Sequence, residues 1–141
     1  MIAIFWLSSR TSEESSEQSD MLLELLTKIF GDGLFTTFIV RKSAHCLEYT
    51  GLCYLFNIAY CQTLKKRALI LSVLSTSLYA VTDEVHQLFV DGRSCELRDW
   101  AIDTIGAVFG AAIFLILTSI ICAVGKKKKN IIDTANNQSI I

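Results

Sequence analysis

Three short stretches of this chain concentrate residues that can do chemistry. They are Arg41-Lys42-x-x-His45-x-x-Glu48-Tyr49, Asp83-Glu84-Val85-His86-Gln87 and Asp99-x-x-x-Asp103. His45-x-x-Glu48 and Asp83-x-x-His86 each set an imidazole and a carboxylate one helical turn apart. Two such pairs on facing helices resemble the way divalent metals are held inside bundles, so His45, Glu48, Asp83 and His86 are candidate ligands. The same groups suit metal-free acid–base work, since histidine titrates near neutrality and a carboxylate orients it. Glu84 joins these four as a candidate catalytic residue. Lys42, Gln87, Arg93, Asp99 and Asp103 are candidate ligand-binding residues. Arg93 and Arg98 could grip a phosphate or carboxylate in forked geometry. A divalent metal and a metal-free site both remain open at this point.

The elements that must position these groups are helices. On a helix advancing ~100° per residue, Lys42, His45 and Tyr49 share a face, with Glu48 at its edge. Tyr79, Asp83 and His86 share another, with Gln87 beside them and Glu84 turned away. Asp99, Asp103, Gly106 and Gly110 form a third stripe, and Gly106-x-x-x-Gly110 lets a neighbouring backbone approach closely. Each polar stretch adjoins an apolar run, at residues 49–61, 68–81 and 100–124. The last is long enough to cross a hydrocarbon core of ~30 Å at ~1.5 Å per residue. The first two must include their polar turns to cross.

Composition agrees. Of 141 residues, 52 % are apolar and 19 % charged, with a mean hydropathy of +0.45. That excludes disorder for most of the chain and an ordinary soluble domain. The five cysteines include no C-x-x-C pair, and two of them, Cys53 and Cys61, lie in one apolar run, so neither a disulfide framework nor a cysteine zinc site is expected. Nothing matches a phosphate-binding glycine loop, a nucleophile elbow or a nucleic-acid motif, so no nucleic-acid partner is expected.

Charge sets a topology. The basic link 63–67 and the four lysines 126–129 read as cytoplasmic under the positive-inside rule. The loop 91–98 and the segment 8–41 then lie outside, and every acidic residue but Asp133 falls on the outer side or in the outer half. Residues 1–7 are apolar but span only ~10 Å, and read as the end of a first span whose start is missing. Residues 10–19 read as an exposed Ser/Glu-rich loop. Residues 20–30 place Leu22, Leu25, Leu26 and Ile29 at helical spacing, capped by Ser19 or Asp20, as a surface-lying amphipathic helix. The tail from Asn130 reads as mobile.

The expected fold is all-α: an integral membrane bundle of three full transmembrane helices, a truncated first one and a short amphipathic surface helix. Residues 1–125 form the membrane domain and 126–141 a basic cytoplasmic tail. The polar faces meet at the outer end, because ionisable groups at that depth must pair or be wetted. A structural reading stands beside this one: such groups also hold helices together, and Arg41 and Lys42 can snorkel to the headgroups.

Arg41-Lys42-x-x-His45-x-x-Glu48-Tyr49, Thr82-Asp83-Glu84-Val85-His86-Gln87-Leu88-Phe89-Val90-x-Gly92-Arg93 and Asp99-x-x-x-Asp103-x-x-Gly106-x-x-x-Gly110 together resemble the VanZ-like family in order and spacing. Phe5-Trp6-Leu7-Ser8-Ser9 resembles the end of that family's first span. Arg10 departs from a common Gln, and Asp91 from a frequent Pro that would fix the turn before Gly92. The resemblance implies a small multi-spanning protein of the bacterial cytoplasmic membrane, with its carboxyl terminus inside. It further implies contact with membrane lipid, and with a peptidoglycan precursor or a glycopeptide antibiotic of the teicoplanin type. An enzyme acting on a lipid-linked envelope precursor is the alternative.

Overall fold

The computed structural model describes residues 1–31, 33 and 35–138, with side chains for all of these except residues 2, 3, 7 and 131–138. Among the described residues there are five helices and no strand: α1 (Ile2–Ser8), α2 (Ser12–Phe30), α3 (Thr37–Leu64), α4 (Leu69–Gln87) and α5 (Leu97–Gln138).

Most of the expected exposed loop at residues 10–19 is instead helical: residues 12–19 are the first half of α2. Thr11 caps it, accepting from the Glu14 N–H at 3.3 Å, while the Glu14 carboxylate accepts from the Thr11 N–H at 3.2 Å. This reciprocal capping box satisfies two N-terminal donors, and Thr11-x-x-Glu14 is its sequence signature. Ser16 and Ser19 satisfy their hydroxyls inside the helix by bonding back to the carbonyls of Ser12 and Ser15. The polar tail shows a second difference: α5 runs on through the four lysines to Gln138 rather than ending before Asn130. The side chain of Asp133 lies outside the described residues.

The chain divides into two compact units, residues 1–111 and 112–141. In the first, α3 packs on α4, α2 on α3 and α1 on α4. A short link joins α3 to α4, as expected of an antiparallel pair. It starts at Lys65, which takes the left-handed conformation (φ 55°) usually left to glycine. Gly106 and Gly110 set the start of α5 against α3: a β-carbon at either would press into the carbonyl of Cys46 or Thr50. The Thr50 hydroxyl lies 2.9 Å from the Gly106 carbonyl oxygen and donates to it. The turn after α4 closes by Arg93 N–H to the Val90 carbonyl at 3.2 Å, with Gly92 at φ 73°. Asp91 occupies the position where proline would preset φ, and the turn forms without it. The second unit is the remainder of α5, whose Ile116, Ile120, Ile121 and Val124 are exposed.

Among the described residues one helix, over Leu97–Asn130, is long and apolar enough to cross a membrane on its own composition. The three full spans expected from the sequence are thus reduced to one on that criterion. The ionisable residues early in α3 and late in α4 lower their apolar character. Yet α4 is built inside out. Its buried residues are Ser72, Thr76, Ala80, Asp83, Glu84 and Gln87, while Ile70 is 78 % and Leu78 68 % exposed.

Candidate functional site

The polar groups converge within the first unit. Arg93, Asp99, Asp83 and Lys42 all act electrostatically on His45. Asp83 and Arg93 act on Glu48, and Glu84, Asp83, Asp99 and Glu48 act on Asp103. Asp103 is 1 % exposed, and neither of its carboxylate oxygens has a hydrogen-bond partner. Asp83 is also buried: one oxygen accepts from Gln87 Nε2 at 3.5 Å, and the other has no partner. Gln87 reaches back as well to the Ser8 hydroxyl on α1 at 3.5 Å.

Three candidates, Lys42, Asp99 and Glu84, are satisfied structurally. Lys42 forms an ion pair with Asp99, tying α3 to α5. Glu84 does not turn away as the helical wheel suggests: it is buried and accepts the Glu96 N–H at 2.9 Å, stapling the start of α5 to α4.

The α3 face is drawn one residue differently from the sequence expectation. Tyr49 sits in the apolar core with Ile4, Leu52 and Ala80. Arg41, His45 and Glu48, at i, i+4 and i+7, line a cavity of about 190 Å³ instead. Ser15, Gln18, Ser19 and Leu22 of α2 close its other side, and Arg93 enters from the turn after α4. Arg41, read from the sequence as a snorkelling residue, is thus a wall of the site. Its spacing to His45 and Glu48 is the signal that was available. Arg98 is exposed and does not line this cavity. Burial, and then the nearby Arg41 guanidinium, push the Arg93 pKa below its ordinary value, against the pull of Asp83, Asp99 and Glu84.

His86 does not line this cavity with His45. Its ring packs on Phe5 of α1 at 4.4 Å between centroids, and its Nδ1 has no partner. Among the described residues no group of three or more His, Cys, Asp or Glu side chains could hold a metal ion. His45, Glu48, Asp83 and His86 therefore do not assemble the metal centre their spacing suggests.

An all-helical chain with a long apolar helix and buried ionisable groups has the character of a membrane protein. The chain belongs to the VanZ/LLP1 family, whose model matches residues 1–118. Comparisons with curated proteins and with solved structures gave no match.

Proposed function

We propose that this chain is a multi-pass protein of the bacterial cytoplasmic membrane, whose polar cluster opens outward as a vestibule for a cell-envelope component. A peptidoglycan precursor or a glycopeptide such as teicoplanin is the ligand, and the effect is on glycopeptide sensitivity. In this reading α3, α4 and α5 cross, α1 ends a first span and α2 lies on the outer surface. Residues 1–125 form the membrane domain, and 126–141 a basic cytoplasmic tail. Family membership supports the reading, as does the polar-in, apolar-out build of α4. Lengths support it too: 28 residues of α3 and 19 of α4 give ~42 and ~28 Å, beside a core of ~30 Å.

The observation that carries a binding role is the unpartnered Asp103 carboxylate beside Asp83 and Glu84. Groups present only for assembly end in satisfied pairs, as Lys42 and Asp99 do. An enzymatic reading has its own support, since His45, Glu48 and Arg93 share one cavity. There His45 would exchange the proton, Glu48 would orient it and Arg93 would hold an anionic substrate.

Teicoplanin susceptibility tests the proposal, in a bacterium carrying the parent or the Asp83→Asn, Asp103→Asn or His45→Gln variant at equal membrane abundance. A shift caused by the parent and lost with Asp83→Asn or Asp103→Asn supports the vestibule. Loss with His45→Gln, matched by Glu48→Gln, favours the enzyme. If all variants behave as the parent, or if abundance falls in step with activity, the cluster is structural.

A further inference from the structure

We infer that the cavity between α2 and α3 is a binding subsite for a singly ionised phosphate ester, clamped by the guanidinium groups of Arg41 and Arg93. Arg41 Nε, Arg93 Nε and Arg93 Nη1 are shielded from solvent and have no hydrogen-bond partner. Among the described residues neither arginine makes an ion pair; the salt bridges there are Lys28–Glu24 and Lys42–Asp99. Two partly shielded guanidinium groups that face one cavity repel one another, and an anion between them relieves that repulsion.

The chemistry of that anion follows from the lining. A carboxylate presents its oxygens in one plane to one guanidinium fork, whereas the non-ester oxygens of a tetrahedral phosphate can accept from two guanidinium groups on different sides. Ser15 and Gln18 line the α2 side and can donate further hydrogen bonds. Glu48 opposes a dianion, so a phosphate bearing one negative charge matches the two arginines better. The volume of about 190 Å³ is below the ~300 Å³ at which drug-sized pockets begin. The cavity therefore takes a head group rather than a whole antibiotic. Leu22 and Val40 give it an apolar flank, and Met21, Leu25 and Ile29 of α2 point outward. These features suit a phosphate carried on a lipid. The inference rests on the proposed reading of this side of the protein as a ligand vestibule.

The test is isothermal titration of the full chain in an uncharged detergent with dioctanoyl phosphatidylglycerol, inorganic phosphate and octanoate. Saturable binding of the phosphatidylglycerol is expected, weakened about tenfold or more by Arg41→Gln and by Arg93→Gln. Lys28→Gln, on the exposed part of α2, should not change it. Binding of inorganic phosphate with equal affinity and the same arginine dependence would support the subsite with free phosphate as its source. Octanoate binding as tightly as the phosphate probes would overturn it, as would no binding to a folded parent at millimolar concentration.

Thermal unfolding provides the second readout. Among the described residues Arg41 has no ion-pair partner, so Arg41→Gln should leave the ligand-free protein at least as stable as the parent. A lower melting point would assign Arg41 a structural role and overturn the clamp. If phosphate binding fails while Asp83→Asn still alters teicoplanin susceptibility, the subsite falls and the vestibule stands. If the reverse holds, the vestibule reading falls and the anion site stands alone.

Discussion

Replacing Gly106 by alanine should be destabilising, although alanine is the better helix former. The added β-carbon would press into the Cys46 carbonyl on α3. Ordinary contact is restored only if the two helices part by about 1 Å. Overpacking of that kind costs about 1–3 kcal/mol. The Thr50–Gly106 hydrogen bond at 2.9 Å is lost with it, and such interhelical bonds contribute about 0.6 kcal/mol on average. Helix propensity returns up to about 1 kcal/mol, which leaves a net loss of about 1–3 kcal/mol.

Gly51, also on α3, is the matched control. A β-carbon there meets nothing within 4 Å, so Gly51→Ala should stabilise by about 0.5–1 kcal/mol from propensity alone. Reversible unfolding in mixed micelles of mild detergent and SDS, followed by tryptophan fluorescence or circular dichroism, reads both variants on one scale. The two midpoints should move in opposite directions. Should Gly106→Ala prove as stable as Gly51→Ala, the close approach of α3 and α5 is wrong.

Two further predictions use the same assay. Asp103→Asn removes a buried ionisable group with no partner, so the variant should be at least as stable as the parent at neutral pH and more stable by about 1 kcal/mol where the parent group is charged. A large loss would show that the carboxylate has a partner. Lys42→Met strands Asp99, whose side chain is 13 % exposed, and should cost about 2–4 kcal/mol. Adding Asp99→Leu should recover most of that loss, and a single variant as stable as the parent would deny the pair a structural role.

Much of the architecture is legible in the sequence because apolar runs and glycine spacing are local signals. The run at 100–124 marks α5, and Gly106-x-x-x-Gly110 marks its contact with α3. The first half of α2 was hidden because its serines and glutamates resemble a loop in composition, while its capping signature occupies only Thr11 and Glu14. In the site, residue types were readable but their partners were not. A helical wheel cannot decide whether Lys42 or Arg41 turns toward the cavity, since that depends on how α2 lies across α3. Nor can it show that Glu84 finds a backbone N–H at the start of the next helix, because that contact is made by the loop. The spacing of His86 suggested a pairing with His45 that the docking of Phe5 on His86 redirects.

The central claim is an outward-opening polar vestibule in a multi-pass chain, and cysteine labelling in intact cells tests it most directly. Cys95 lies exposed in the loop between α4 and α5, beside the cluster. A variant keeping only Cys95 should react with a membrane-impermeant maleimide without permeabilisation. A variant whose sole cysteine comes from Lys66→Cys, in the basic link between α3 and α4, should react only after permeabilisation. Labelling of Lys66→Cys in intact cells, or protection of Cys95 until the membrane is opened, would contradict the account.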